Sequence, residues 1–191
     1  MRKKRERRAH RVPEKKSVPK AIFGWTFQIV VVIMFAYVLV YFFGQTRTNI
    51  GQSMETTLSG GDTVLLNDLA YRLGSPSRGD VVAFRPGGSA SSHSYIKRVV
   101  GLPGETAQIK DGMIYVNDNV YLEQRDFPSI EDGGLASEPI TLGESEYFVL
   151  GDNRNNSEDS RYADIGCIEE DDIEGKVWFV ISPREHMGFV K

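Results

Sequence analysis

The sequence predicts a mostly β protein, in which one N-terminal transmembrane helix precedes an antiparallel β domain built as a folded sheet or partial barrel. Two observations lead to this prediction. An apolar segment near the amino end is long enough to cross a bilayer as a helix. Beyond it, short apolar runs alternate with turn residues and helical periodicity is scarce, so no helical layers are available to cover a parallel sheet.

The apolar segment occupies residues 21–43. A membrane core needs about 20 helical residues, and Trp25 and Tyr41 stand near the two ends, where aromatic side chains favour the interfaces. A cleavable export signal is the alternative. Its apolar region spans only about 7–15 residues and ends at a small-residue cleavage site, whereas residues 44–47 read Gly-Gln-Thr-Arg. The segment therefore favours an uncleaved anchor.

The charge distribution predicts the orientation. The first twenty residues hold ten Lys or Arg and two Glu, although the whole chain has a net charge of −3. Because basic flanks stay in the cytoplasm, we expect residues 1–20 to form a cytoplasmic tail, 21–43 the transmembrane helix and 44–191 one extracytoplasmic β-rich domain. A basic tail can also bind nucleic acid, but beside a span anionic lipid explains it more simply. We therefore expect the lipid bilayer, and no nucleic acid, as a partner.

The domain after the span must be held together by its core, because Cys167 is the only cysteine and leaves no internal disulfide. The Asp-Gly pair at 111–112 is a strong signal for a two-residue hairpin. Residues 67–73 predict one or two helical turns, and residues 86–94 and 123–138 read as loops. The predicted strands are residues 63–66, 81–84, 95–100, 107–110, 113–116, 147–150 and 176–181.

Ser53 and Lys97 have the best catalytic potential. A serine hydroxyl is a weak nucleophile that needs a base, and the histidines beyond the span, His93 and His186, lack a surrounding pattern that favours a His-based triad. Lys97 lies among apolar neighbours on a predicted strand, where Arg98 points to the opposite face. Lysine is a base only when neutral, and burial can lower its pKa from about 10.4 toward 7. The alternative is a surface lysine on an edge strand.

Four motifs follow the apolar segment in order. Residues 51–58 read Gly-Gln-Ser-Met-Glu-Thr-Thr-Leu, residues 79–82 Gly-Asp-Val-Val, residues 95–105 Tyr-Ile-Lys-Arg-Val-Val-Gly-Leu-Pro-Gly-Glu, and residues 151–161 Gly-Asp-Asn-Arg-Asn-Asn-Ser-Glu-Asp-Ser-Arg. They resemble the serine box, second box, lysine box and last box of type I signal peptidases, the bacterial leader peptidases with a Ser/Lys dyad. The resemblance implies a membrane-bound serine endopeptidase that removes signal peptides from exported preproteins at Ala-x-Ala-type sites, without a cofactor or metal.

The resemblance also implies roles for single residues. Ser53 matches the nucleophile and Lys97 the general base. Ser157 matches a hydroxyl that orients the lysine by a hydrogen bond, and Met54 an apolar residue packed beneath it. The implied partners are secretory preproteins and the bilayer, with the secretion translocon as a further candidate.

The last motif supplies the remaining predicted residues. By resemblance, Asp159 and Arg161 form a structural ion pair near the site, with Asp152 and Arg98 close by. Composition alone would make residues 152–161 a polar surface turn. Metal binding by their carboxylates is a further alternative, but the spacing is not typical of a ligand set.

Two positions depart from the family pattern. Thr56 stands where the serine box commonly has proline, which predicts a less firmly fixed strand after Ser53. Gly51 stands where some members have a serine that helps to stabilise the oxyanion. The oxyanion hole would then consist of backbone N–H groups, including that of Ser53, and Gly51 would leave room for the substrate.

Three rival functions remain at this stage. A self-cleaving Ser/Lys peptidase of the repressor type would be cytosolic, which the span contradicts. A sortase-like transpeptidase would use Cys167 with His93, but the Thr-Leu-x-Thr-Cys context is missing. A membrane-anchored binding module would not need Ser53 and Lys97. The lysine base, the single span and the compact middle region favour a bacterial cell membrane, in a Gram-positive cell.

Overall fold

The structure is a computed structural model that describes residues 18–88 and 93–190. The predicted cytoplasmic tail lies outside the described residues, apart from its last three positions. The chain divides into two compact units, one ending at Val38 and the other beginning at Leu39.

Helix α1 covers Val18–Phe43. Its stretch Ile22–Tyr41 has 20 residues with a mean hydropathy of 2.2, and none of it is buried. Within the described part of the chain, this is the one helix whose length and composition suit a membrane crossing. A helix that exposes apolar side chains on all its faces is typical of a segment surrounded by lipid.

The rest of the chain is mostly β, as predicted. The main sheet has eight strands in the order β1-β2-β11-β3-β4-β9-β10, with β12 also paired to β11, and a second sheet has the order β7-β6-β5-β8. Every pairing is antiparallel. Register shifts along β11 and β4 bend and twist the main sheet, because bulged strands curve. The result is a curled half-barrel.

The strands and short helices are bounded as follows. The main sheet consists of β1 Thr46–Thr48, β2 Thr63–Asn67, β3 Val81–Phe84, β4 Tyr95–Gly101, β9 Glu146–Leu150, β10 Ile168–Glu169, β11 Ile173–Ser182 and β12 Gly188–Phe189. The second sheet consists of β5 Thr106–Lys110, β6 Met113–Val116, β7 Asn119–Val120 and β8 Ile140–Thr141. Helix α2 is Leu69–Arg72, and single 3-10 turns occupy Pro86–Gly88, Gly134–Ser137, Glu170–Asp172 and Arg184–His186.

Apolar clusters hold the sheets together, and one of them fixes the region around Ser53. Met54 and Leu58, which follow Ser53, are fully buried against Val81 and Ile96 of the main sheet. Burial of such side chains contributes about 1.5–3 kcal/mol each relative to exposure. The segment that carries the serine is therefore tied to the strand that carries Lys97.

Candidate active site

Lys97 lies inside the main sheet. Strand β4 is flanked by β3 and β9, and the register sets Lys97 opposite Val82. Only 2% of Lys97 is exposed, and its side-chain amine has no hydrogen bond or ion pair with any other described residue. The alternative of a surface lysine on an edge strand is therefore wrong.

Burial determines the protonation of this lysine. Loss of water lowers the pKa of Lys97 to about 8, whereas the nearby carboxylates of Asp159 and Glu158 act to raise it. The positive charge of Arg161 acts in the same direction as burial. Because burial outweighs the carboxylates, a large fraction of Lys97 is neutral near pH 8, which is the form that accepts a proton.

Ser53 lies on a turn that precedes β2. Three backbone hydrogen bonds of 2.8–3.1 Å close residues 52–58 into this turn, so the expectation of a strand after Ser53 is wrong. Buried Met54 anchors the turn in the same apolar cluster as Ile96, the neighbour of Lys97 in sequence. The packing of Met54 beneath the lysine itself stays a prediction.

Thr56, in the same turn, has an unusual backbone conformation. Its φ is +82°, in the left-handed region that β-branched residues avoid. Such a conformation costs about 1–3 kcal/mol and persists only where the surroundings enforce it. The serine-bearing turn is therefore held in place by contacts with the rest of the domain.

Gly151 joins the serine turn to the last motif. The pairing of β4 with β9 reaches Arg98 opposite Leu150, the residues that follow Lys97 and precede Gly151 in the chain. A Cβ on Gly151 would overlap the side chain of Ser157 and would lie 2.5 Å from the carbonyl oxygen of Ser53. Only glycine permits this close approach, so the serine turn and Ser157 both pack against this one backbone position.

Asn153 fixes the turn to the last motif from the other side. Its backbone N–H donates to the Ser53 carbonyl oxygen at 3.0 Å, and its side-chain amide donates to the Gln52 carbonyl oxygen at 3.1 Å. The backbone N–H of Ser53 donates no hydrogen bond to another described residue. This free donor is of the kind that an oxyanion hole requires. Gly51, two residues earlier, is exposed and has a φ of +84°.

Ser157 has a buried hydroxyl without a hydrogen-bond partner among the described residues. Its predicted hydrogen bond to Lys97 is therefore not formed in this structure, and neither is one between Ser53 and Lys97. A buried hydroxyl without a partner is unfavourable, and catalytic hydrogen bonds are often long until substrate binds. The predicted roles of Ser53, Lys97 and Ser157 are compatible with their positions but stay predictions.

Arg98 and Asp152 form a buried, two-pronged ion pair. The guanidinium donates to both carboxylate oxygens of Asp152 at 2.8 and 2.7 Å, a geometry that is stronger and more directional than a single contact. Arg98 also donates to the Gly79 carbonyl oxygen at 2.7 Å. Thr57 donates its hydroxyl hydrogen to Asp152. The ion pair therefore links the second motif, the serine turn and the last motif.

Asp159 and Arg161 form a second buried ion pair, at 2.7 Å. Asp159 also accepts the backbone N–H of Gly151 at 3.0 Å, and Arg161 donates to the Arg154 carbonyl oxygen at 2.7 Å. The ion pair thus holds residues 151–161 together through hydrogen bonds to their own backbone. These residues are therefore not the polar surface turn that composition suggested.

Comparisons with known proteins decide the family. The family model described as "Signal peptidase, peptidase S26" matches residues 22–182. Signal peptidase I T of Bacillus subtilis (strain 168) is 34% identical over 170 residues, covering 85% of this chain and 86% of its own. Signal peptidase IB of Staphylococcus aureus (strain COL) is 34% identical over 181 residues, covering 86% and 91%. This chain belongs to the signal peptidase I family.

Signal peptidases outside these two genera are also similar. Probable signal peptidase I-2 of a Synechocystis strain is 32% identical over 157 residues, covering 78% of this chain and 68% of its own. A crystal structure of a signal peptidase I from Enterococcus faecalis V583 shares 32% identity and covers 55% of this chain and 97% of that one, with a TM-score of 0.42.

The catalytic alternatives depend on other side chains, such as Cys167 and His186. Burial raises the pKa of Cys167 to about 11, so the thiol stays protonated and is a weak nucleophile. His186 contacts Asp62, which lies beyond the end of the serine turn in sequence, at 2.7 Å. Within residues 18–88 and 93–190 there is no group of three or more metal-binding side chains.

Sequence reasoning missed the contacts of the segment 121–127, which it treated partly as a loop. A cleft of about 680 Å³ lies between this segment and the C-terminal residues 186–190. Thr56 and Thr57 reach its wall, whereas Ser53, Lys97 and Ser157 do not line it. None of the four signal peptidase motifs includes 121–127, and no local sequence signal marks its long-range contacts.

Proposed function

We propose that this chain is a membrane-bound serine endopeptidase that removes signal peptides from exported preproteins with a Ser53/Lys97 dyad. Membership in the signal peptidase I family supports the reaction class. The assignment of the dyad rests on the burial of Lys97, which lowers its pKa to about 8, on a strand whose Ile96 packs in the same apolar cluster as Met54, the residue after Ser53.

In the acylation step, the neutral amine of Lys97 takes the proton from the Ser53 hydroxyl. The serine oxygen then bonds to the carbonyl carbon of the scissile peptide, and the carbonyl electrons move to its oxygen. The unused backbone N–H of Ser53 supports its assignment as one donor to that oxyanion. When the intermediate collapses, the C–N bond breaks and the Lys97 ammonium gives its proton to the leaving amine.

In the deacylation step, Lys97 is neutral again and takes a proton from water. The hydroxide so formed attacks the acyl carbon, and the bond between that carbon and the Ser53 oxygen breaks. The Lys97 ammonium returns its proton to Ser53, which restores the starting state and releases the signal peptide with a free carboxyl group. One base therefore serves both steps.

The supporting residues hold Ser53 and Lys97 in position. The buried Ser157 hydroxyl is available as a hydrogen-bond partner for the lysine amine. Ion pairing of Asp159 with Arg161 holds the Gly151 backbone through its N–H. The ion pair of Arg98 and Asp152 contacts the serine turn through the hydroxyl of Thr57.

We propose that the substrate binds as an extended strand, with Ala at the first and third positions before the cut. Strand β1 ends the main sheet, and the chain leads from it directly to Gly51 and Ser53. An extended peptide can add to such an edge through main-chain hydrogen bonds, while alternate side chains enter pockets. Small pockets would select Ala, and the Gly51 position leaves space for the approaching chain.

Helix α1 is proposed as the membrane anchor, with residues 1–20 in the cytoplasm and 44–191 outside. Ser53 is ten positions after Phe43, so the serine lies at most about 35 Å of extended chain from the end of the helix. The cut site of a preprotein also lies just beyond its own apolar segment, and tethering both to one bilayer raises their effective concentration. Relatives from Bacillus and Staphylococcus are compatible with a Gram-positive source.

The decisive experiment incubates the purified full-length chain in detergent with a secretory preprotein and sequences the amino end of the mature product. We expect one cut after an Ala-x-Ala site, and none with Ser53→Ala, whose circular dichroism should match the wild type. Normal processing by Ser53→Ala would reject the nucleophile. Binding of preprotein without any cleavage by the wild type would favour the binding module instead.

A further inference from the structure

The segment 121–127 contacts the serine turn through Arg125. The Arg125 guanidinium donates to the Thr56 carbonyl oxygen at 3.1 Å and also to the Thr57 hydroxyl. One planar group thereby spans two consecutive residues of the turn, which a fork of N–H donors can do and a single amine cannot. The residue it holds, Thr56, is the one with a φ of +82°.

The hydroxyl of Thr57 couples this contact to the dyad region. It donates to Asp152 and accepts from Arg125, and Arg98 lies at hydrogen-bonding distance of 3.3 Å. A hydroxyl has one hydrogen and two lone pairs, so these three contacts use its whole capacity. Asp152 directly follows Gly151 in the chain.

The ring of Phe127 packs against three arginines of this region. Its centroid lies 4.2 Å from the guanidinium carbon of Arg154, 5.5 Å from that of Arg98 and 5.7 Å from that of Arg125, within the range of cation–π attraction. Arg154 in turn donates to the Gly151 carbonyl oxygen at 3.1 Å. One aromatic ring therefore packs against three arginines that hold both sides of the site.

We propose that Arg125 is a positioning residue for the reaction, which holds the serine turn in its left-handed conformation at Thr56 so that the Ser53 hydroxyl faces Lys97. The inference rests on the proposed function, and it deepens that function by adding a residue outside the four family motifs. Arg125 does not touch the reacting atoms; it acts through Thr56 and Thr57.

The test uses Arg125→Met in the full-length protein, with Arg85→Met as the matched control. Methionine keeps the apolar stem of the side chain but removes the fork, and Arg85 pairs with Glu174 at 3.0 Å, away from the serine turn. The probe is a synthetic signal peptide with Ala at the first and third positions before the cut. We expect Arg125→Met to lower kcat about 10- to 100-fold with KM changed less than about 3-fold, and Arg85→Met to match the wild type.

Two further readouts separate positioning from general stability. The charges with the largest effects on the pKa of Lys97 are those of Asp159, Glu158, Arg161 and Asp152. The pH midpoint of the rate in Arg125→Met should therefore stay in place while the plateau falls. Glycine adopts a positive φ without steric cost, so Thr56→Gly combined with Arg125→Met should recover at least about 5-fold of the lost kcat. Arg125→Lys keeps the charge without the fork and should fall between the wild type and Arg125→Met.

Several outcomes would overturn the inference. One is an unchanged kcat in Arg125→Met, and another is a loss of kcat that the fraction of unfolded protein fully explains. A shifted pH midpoint in Arg125→Met, or no recovery of kcat in the double variant, would also overturn it. Failure of the proposed function looks different. In that case the wild type does not cleave the peptide, or Ser53→Ala cleaves it as fast as the wild type does.

Discussion

The backbone N–H of Asn153 donates a 3.0 Å hydrogen bond to the carbonyl oxygen of Ser53. This contact is one of several that join the first and last motifs, which are about a hundred residues apart in sequence. It leaves the Ser53 hydroxyl and N–H unused by the fold, so both groups remain available for chemistry. The resulting site depends on a few close approaches, and each can be tested separately.

The pH dependence of the rate should follow Lys97. The pKa of Lys97 is about 8, and only the neutral amine is a base. We therefore expect kcat/KM to rise about tenfold per pH unit well below this value and to level off above it, measured with a peptide substrate between pH 6 and pH 10. Lys97→Arg should be inactive throughout, because a guanidinium does not lose its proton in proteins. A pH profile that is unchanged in active Lys97 variants would instead assign the base to another residue.

Removing the buried amine should stabilise the fold at neutral pH. Lys97 has a pKa of about 8 when folded and 10.5 as its reference value. Between these values the unfolded chain binds more protons, so stability rises with pH across that window and the cost of burying the charge is fully present below it. Lys97→Met removes this cost, and the free energy of unfolding near pH 7 should increase by about 3 kcal/mol.

Urea titrations at several pH values can check this expectation. The gain from Lys97→Met should shrink as the pH rises from about 8 to 10.5, whereas exposed Lys110→Met should stay within about 0.5 kcal/mol of the wild type at every pH. Equal stability of Lys97→Met and wild type at pH 7 would contradict the burial of a costly amine.

Gly151→Ala should remove activity by displacing the dyad. The added methyl group would overlap Ser157 and lie 2.5 Å from the Ser53 carbonyl oxygen, so one of the two segments must move. A displacement of about 1 Å at a reacting group can lower the rate about 100-fold. Gly188→Ala is the matched control, since a Cβ there has no neighbour within 4 Å. Peptide hydrolysis by both variants, with similar rates, would show that the close approach around Gly151 is unimportant.

Asp152→Asn should destabilise the domain more than a comparable change on the surface. It leaves Arg98, which is 5% exposed, without its countercharge, and breaking a buried ion pair costs about 3–5 kcal/mol. Asp68→Asn, which disrupts the exposed pair with Arg72, should cost less than about 1 kcal/mol. Chemical denaturation followed by fluorescence compares the two, and a similar small loss in both would mean that the Arg98 network contributes little.

The sequence predicted well the strands that have four or five residues and clear turns at their ends. Strand β3 and strand β6 have the predicted bounds, and the hairpin between β5 and β6 turns at Asp111 and Gly112, with φ values of 53° and 75°. Both positions have the positive φ that a two-residue turn of this type requires. Local chemistry alone determines such features, so a sequence pattern suffices to predict them.

The features that were missed depend on long-range contacts. Strands of two or three residues, such as β1 and β10, are too short to show an alternating pattern. Strand β11 begins at Ile173, three residues before the predicted start, because its irregular register continues the pairing with β3. Arg125 and Phe127 lie in a polar segment with no periodicity, and only the folded chain brings them to the serine turn.

The backbone at Thr56 has a consequence for engineering by family consensus. Proline is fixed near a φ of −65°, and residue 56 has a φ of +82°, so the proline common at this position in the family has no place in this loop. Thr56→Pro, which an averaged family sequence would suggest as a rigidifying change, would force the loop to refold locally. In the role that we propose for Arg125, its contacts with Thr56 and Thr57, rather than a proline ring, hold this loop.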